Sequence, residues 1–238
     1  MTDAFGDVEE ARKLIERSRY VLFDFDGPVC RLFPEERPSA PLAEQLRRTA
    51  EKFEVADLLT GTARETTDPH VVLRAVHGAG HREGVIAVVA AMEEELTAGE
   101  MAAAALAVPT EHSVEFVEQL HARGRRLAIV TNNSAKAAWT YLSRHGLLPL
   151  FGSVEGRTAD PGLMKPDPDV LRRALRALGS VGSGDAVMIG DSESDVLAAR
   201  SAGVGFIGYG RNDAKVQRLR KVDALIVVRG YSALLRGM

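Results

Sequence analysis

Three short apolar runs in this chain break off abruptly at polar residues: Tyr20-Val21-Leu22-Phe23 at Asp24, Leu127-Ala128-Ile129-Val130 at Thr131, and Ala186-Val187-Met188-Ile189 at Gly190-Asp191. Apolar side chains at consecutive positions leave no face for water, so such strands are covered on both sides, the habit of a parallel sheet. Helical patterns separate them. Val8, Ala11, Leu14 and Ile15 share one face over residues 7–18, and Val114, Val117 and Leu120 do so over 113–123, where Gly124 stops the helix. Ser134 is placed to N-cap a helix that runs to His145 and ends at Gly146. Val170, Leu171, Ala174, Leu175 and Leu178 mark another helix over 168–178, and one more closes at Ala202-Gly203. Phe151–Val154, Val204–Ile207 and Ala224–Val228 complete the set of strands. Strands alternating with helices predict an α/β core of three layers around a parallel sheet.

Residues 31–108 interrupt that alternation. No strand pattern occurs there, and Leu42, Leu46, Ala50 and Phe53 share a helical face, as do Val85, Val88, Val89, Met92 and Leu96. Val72 and Val76 suggest a further short helix, and glycines at 61, 78, 80 and 84 cut the segment into pieces. The segment is expected to be a helical insertion.

Charge and cysteine content exclude several classes of function. Thirty basic residues against 33 acidic ones give a net charge of −3, with no global attraction to nucleic acid or an anionic membrane. No apolar run approaches the roughly 20 residues of a spanning helix. Cys30 is the single cysteine, so no intrachain disulfide forms and a reducing compartment is the simplest setting. The acidic stretch Met1–Asp7 has no charged-then-apolar leader pattern, and a cytoplasmic location is expected.

In an open parallel sheet, ligands bind beyond the carboxyl ends of the strands. Asp24 and Asp26 follow the first strand, Thr131 and Asn132 the second, and Asp191 the fourth; Lys165 precedes a helix and Asp195 lies one turn beyond Asp191. Gathered carboxylates repel one another, so they protonate or share a cation. Ligands that are all oxygen favour a hard ion, and a few of them with room for water favour Mg²⁺. A threonine hydroxyl and a lysine ammonium beside that ion suit a phosphate. One carboxylate can then serve as nucleophile and the other as proton donor and acceptor.

Those residues sit in stretches that resemble the four motifs of the haloacid dehalogenase-like family. Asp24-Phe25-Asp26-Gly27 is similar to the first, Val130-Thr131-Asn132 to the second, Lys165-Pro166-Asp167-Pro168 to the third and Gly190-Asp191-Ser192-Glu193-Ser194-Asp195 to the fourth. The resemblance covers about residues 18–32 and 110–230. It implies a Rossmann-like catalytic core from residues 1–30 and 109–238, with residues 31–108 as a helical cap that excludes water and selects the substrate. It further implies a Mg²⁺-dependent phosphatase similar to phosphoglycolate phosphatase-like members, acting on a small phosphorylated metabolite. In that scheme Asp24 is the nucleophile and Asp26 the general acid/base. Thr131, Asn132 and Lys165 contact the phosphoryl group. Asp24, the Asp26 backbone carbonyl and Asp191 hold the ion, and Asp195 lies beside it or orients Lys165. Position 28 is proline where many relatives have Thr or Val, which removes one backbone donor from the loop.

Other residues carry weaker signals. His77 and His81 have the i, i+4 spacing of a metal pair, but Gly78 and Gly80 between them favour a solvated loop. Cys30 reads as a small buried hydrophobe. Arg64 is the one cap residue singled out to reach an anionic substrate. A sugar-phosphate mutase would use the same core residues, whereas a phosphorylated signalling module would lack the large insertion after its first strand.

Overall fold

A computed structural model describes residues 4–80 and 83–236. The expected parallel sheet is present. In chain order its elements are α1 (Ala4–Arg17), β1 (Tyr20–Phe23), β2 (Cys30–Arg31), α2 (Ala40–Lys52), α3 (Thr62–Glu65), α4 (Pro69–His77), α5 (Val85–Leu106), β3 (Val108–Pro109), α6 (Ser113–Ala122), β4 (Arg126–Val130), α7 (Ala135–Arg144), β5 (Phe151–Glu155), α8 (Asp169–Ala177), β6 (Ala186–Gly190), α9 (Glu193–Ala202), β7 (Gly205–Tyr209), α10 (Asp213–Lys221), β8 (Val227–Val228) and α11 (Ser232–Leu235). Six strands lie in the order β5-β4-β1-β6-β7-β8, and every pairing is parallel.

β1 is the central strand because it is apolar on both faces. Val21 and Phe23 join the cluster under α1, α6 and α7, while Tyr20 and Leu22 join the one under α8 and α9. Phe23 packs edge-on against Phe116 and Phe151, with ring centroids 6.2 Å apart in both pairs. From β1 the chain steps outward through β4 and β5, then crosses back to place β6 on the other side. That reversal opens a crevice at the carboxyl ends of β1, β4 and β6.

The segment between β2 and β3 is helical, as its pattern predicts, and builds a hydrophobic cluster of its own from residues such as Leu46, Val72, Leu73, Met92 and Leu96. Met164, which precedes Lys165, is buried in that cluster although it comes from the sheet-bearing part of the chain. α5 packs along α7. Three details differ from the sequence reading. An antiparallel pair, β2 with β3, spans the two ends of the insertion; two-residue strands have no periodicity to detect. Phe53 caps α2 and is 39% exposed instead of facing inward. The last strand is confined to Val227–Val228, because Leu225 is 83% exposed and lies outside the ladder.

Candidate active site

Asp24, Asp191 and Asp195 converge on the crevice, each offering a carboxylate oxygen, and these oxygens all lie within 4.8 Å of one another. Such a set can hold a metal ion. Asp24 follows β1 and Asp191 follows β6, strands that pair in register, so the sheet itself brings the two together. Two glycines make the approach possible. Gly27 has φ +114°, and a Cβ there would sit 2.5 Å from Asp191 Oδ2; a Cβ on Gly190 would sit 2.6 Å from the Asp195 Cβ.

Lys165 reaches into this cluster from the loop after β5 and is 2% exposed. Its Nζ donates to Asp24 Oδ1 at 2.8 Å, to Asp195 Oδ1 at 2.6 Å and to the Val130 carbonyl at 2.9 Å. Burial opposes its charge, but the carboxylates of Asp195 and Asp24 override that and raise its pKa. Asp195 is fully buried, and its second oxygen accepts from the backbone N–H of Asp191 and Ser192 and from the Ser192 hydroxyl at 2.7 Å. This is a capping box at the start of α9. Both Asp195 oxygens are therefore already engaged, and its geometry is that of a group orienting Lys165.

Burial dominates the remaining carboxylates. Burial pushes Asp24 up to about 7, and the neighbouring Asp195 and Asp191 add to this against the opposing charge of Lys165. Burial likewise raises Asp26 and Asp191 to about 6. Asp26 Oδ1 accepts from the Leu32 N–H at 2.8 Å, which turns its side chain back over the loop. That loop closes through Gly27 N–H to the Cys30 carbonyl at 2.8 Å, and the Pro28 carbonyl accepts from the Tyr231 hydroxyl at 2.9 Å. Pro28 thus keeps an acceptor role although it has no N–H to give.

Thr131 is buried, and its Oγ1 accepts from the N–H and the side-chain amide of Asn133, both at 3.1 Å, leaving the hydroxyl proton to donate. Asn132 is turned elsewhere. Its Oδ1 accepts from the Lys165 N–H at 2.8 Å and its Nδ2 donates to the Lys165 carbonyl at 3.1 Å. Its side chain therefore clamps the lysine backbone. Arg64 is exposed, and its Nε donates to the Leu59 carbonyl within the insertion, at 2.5 Å, not toward the acidic cluster. His77 pairs with Asp160 at 3.1 Å; His81 lies outside the described residues. Cys30 is buried, with Sγ 3.7 Å from the Phe25 carbonyl, and burial drives its thiol pKa well up.

Sequence reasoning passed over Lys215 on α10. Its ammonium pairs with Asp191 Oδ2 at 2.5 Å and lies 3.2 Å from the Asp191 carbonyl. It follows the end of β7, so the strand-end rule that found Asp24, Thr131 and Asp191 applies to it as well.

A family model for haloacid dehalogenase-like hydrolases matches residues 19–203. The chain belongs to the haloacid dehalogenase-like hydrolases. Among curated relatives, a phosphoglycolate phosphatase of Vibrio parahaemolyticus is 37% identical over 100 residues, which is 41% of this chain and 43% of the relative. The pyrophosphatase PpaX of Halalkalibacterium halodurans is 32% identical over 130 residues, 55% of this chain and 60% of that protein. The matched stretches thus span about half the length of these relatives. The crystal structure of a predicted phosphatase from Clostridium acetobutylicum superposes with a TM-score of 0.66 at 20% identity, covering 92% of this chain and 97% of that one. The likeness of fold accordingly extends over the inserted helices as well as the sheet. Among the described residues, no helix is long and apolar enough to cross a membrane.

Proposed function

We propose that this chain is a Mg²⁺-dependent phosphatase that hydrolyses a small phosphomonoester through an aspartyl-phosphate on Asp24. The observation that carries the reading is the placement of Lys165, whose ammonium bridges Asp24 and Asp195 inside a cluster of carboxylates at the switch point of the sheet. An isolated buried ion pair needs one partner; here one ammonium is shared between two carboxylates, with Asp191 beside them.

The donor set fits a hard divalent ion, since it is all oxygen and burial raises Asp24 and Asp191, whose ionised forms a cation would favour. Asp24, the Asp26 carbonyl and Asp191 would hold Mg²⁺, and Asp195 would orient Lys165. The ion when bound supplies positive charge beside the transferred phosphoryl oxygens. Asp24 attacks phosphorus, and the bond to the leaving oxygen breaks as Asp26 gives that oxygen a proton. Asp26 then takes a proton from the water that cleaves the aspartyl-phosphate, which regenerates both carboxyl groups and releases phosphate. A carboxyl raised to about 6 is suited to both duties near neutral pH. Lys165 and the Thr131 hydroxyl bind the phosphoryl oxygens. Residues 31–108 act as the cap over this site.

The test is phosphate release from a panel that includes phosphoglycolate, pyrophosphate, sugar phosphates and nucleoside monophosphates, with Mg²⁺ and with chelator. Turnover that needs Mg²⁺ and disappears in Asp24→Asn is expected. Turnover that survives in Asp24→Asn sinks the nucleophile assignment, and a folded wild type inert on every ester sinks the phosphatase reading.

A further inference from the structure

A second buried charge cluster, unused by the chemistry above, lies between α5 and the loop after β4. Arg157 follows the end of β5, and its side chain is 1% exposed. Its Nε donates to Glu93 Oε2 at 2.7 Å, and its Nη1 donates both to Glu100 Oε1 and to the Asn132 carbonyl at 2.8 Å. Its Nη2 lies 3.4 Å from Thr97 Oγ1. Glu93, Thr97 and Glu100 are spaced to share one face of α5. Glu100 is fully buried; its other oxygen accepts from the Ser134 N–H at 2.8 Å, and His70 Nε2 lies 3.2 Å from Oε1. One guanidinium therefore binds the inserted helix and the loop 131–134 at once.

From that loop the contacts continue to the nucleophile. Arg157 holds the Asn132 carbonyl, Asn132 holds the backbone of Lys165 through two hydrogen bonds, and Lys165 holds Asp24. We propose that Arg157, fixed by Glu93 and Glu100, is a positioning residue that sets Lys165 against Asp24 through Asn132. The inference rests on the phosphatase reading for the role of Lys165, and it ties the placement of the catalytic lysine to α5 of the insertion. Buried ion pairs add little stability over an apolar contact of the same shape, so stability alone is a weak reason for this one. A forked, planar donor with fixed angles is what directional restraint of a carbonyl requires, and arginine supplies it where lysine does not.

Hydrolysis of p-nitrophenyl phosphate with Mg²⁺ by the whole chain tests this in wild type, Arg157→Lys, Asn132→Ala and the double variant. Arg157→Lys keeps a cation facing Glu100 and loses the fork. Each single variant is expected to lower kcat about tenfold with KM within about twofold, as misplacement of a bound group does. The double variant is expected to be no slower than the slower single one, because both act on one line. Losses that multiply overturn the proposal, as does an unchanged kcat in folded Arg157→Lys. If Arg157→Lys does not fold, Glu93→Gln gives the same pattern with smaller losses, and an unchanged kcat there overturns it. Amide exchange at Lys165, which Arg157 does not touch, is expected to be faster in the variant than in wild type; equal exchange overturns the proposal. The exchange arm needs no turnover, so a wild type inert on esters removes the phosphatase reading without hiding the outcome for Arg157.

Discussion

Asp24, Asp26 and Asp191 at the sheet edge and Glu100 against Arg157 are similarly sunk in the protein, yet their pKa values move in opposite directions. At the sheet edge burial prevails, and Asp24 rises to about 7 while Asp26 and Asp191 rise to about 6. Against Arg157 burial works the same way on Glu100, but the contacts with His70 and Arg157 override it and its pKa falls. Arg157 is raised by the Glu100 and Glu93 carboxylates in spite of burial, and His70 is raised to about 9 by Asp68 and Glu100 in spite of the same penalty. The difference lies in how the charges are matched. Glu100 takes both Arg157 and His70, and Arg157 takes Glu93 as well. Asp24 and Asp195 share Lys165, Asp191 takes Lys215, and Lys215 and Arg211 act on Asp26 without an ion pair among the described residues. Fully matched charges fix a structure; carboxylates that share a cation or lack one mark a place where a ligand completes the set.

The largest expected effect separates the clusters by activity. Asp24→Asn should lower turnover by about four orders of magnitude or more, as removal of a nucleophile does. It should leave metal-free stability equal or higher, since it removes a carboxylate whose charge burial opposes. Glu100→Gln should lower turnover far less, about as much as loss of the Arg157 fork does, and should lose stability instead. Breaking a buried, matched pair costs roughly 3–5 kcal/mol, to be read from urea unfolding. If Asp24→Asn destabilises as strongly as Glu100→Gln, the two clusters are not different in kind.

The sheet edge was legible in the sequence because its signal is local. Apolar runs ending at Asp24, Thr131 and Asp191 state both the strand and its functional end, and parallel pairing then brings those ends together. The cluster around Arg157 was not legible. His70, Glu93, Glu100 and Arg157 are scattered over three elements, and each reads alone as an ordinary solvated charge. Only the packing of α4, α5 and the loop after β5 shows that they meet. Arg157 and Lys215 follow the ends of β5 and β7, so applying the strand-end rule to every strand would have raised both. The Asn132 side chain is committed to the backbone of Lys165, which pattern alone cannot reveal.

A smaller effect distinguishes the clusters by pH. Asp24 and Asp191 have pKa values raised above their ordinary 3.8, so their contribution to metal-free stability is full below about pH 4 and is lost as pH rises toward 6 to 7. Mg²⁺ favours the ionised carboxylates, and at one hundred times its Kd it adds about 2.7 kcal/mol. The gain in Tm on adding Mg²⁺ should therefore be absent near pH 4 and grow up to about pH 7. His70 is raised from 6.5 to about 9, so its contribution is present below pH 6.5 and is lost as pH rises through about 9. That alkaline loss should be the same with and without Mg²⁺. A Mg²⁺-induced gain that does not vary between pH 4 and 7 would break the contrast at the sheet edge.

The smallest effect probes Asp195, which sits among the unmatched carboxylates but is bonded like a member of the matched set. One oxygen takes Lys165 and the other takes three donors, two of them backbone N–H groups that no substitution removes. Ser192→Ala deletes only the hydroxyl, which both donates to Asp195 and caps α9, and should cost about 1 kcal/mol of stability. Because the backbone donors stay, Asp195 should keep its orientation and Lys165 its grip on Asp24, so kcat should change by less than about threefold for a loss of that size. Mg²⁺ affinity, measured by calorimetry on the same variant, should not move. A fall in Mg²⁺ affinity would mean that Asp195 is a ligand of the ion after all, and it would place the residue with Asp24 and Asp191 instead of with Lys165.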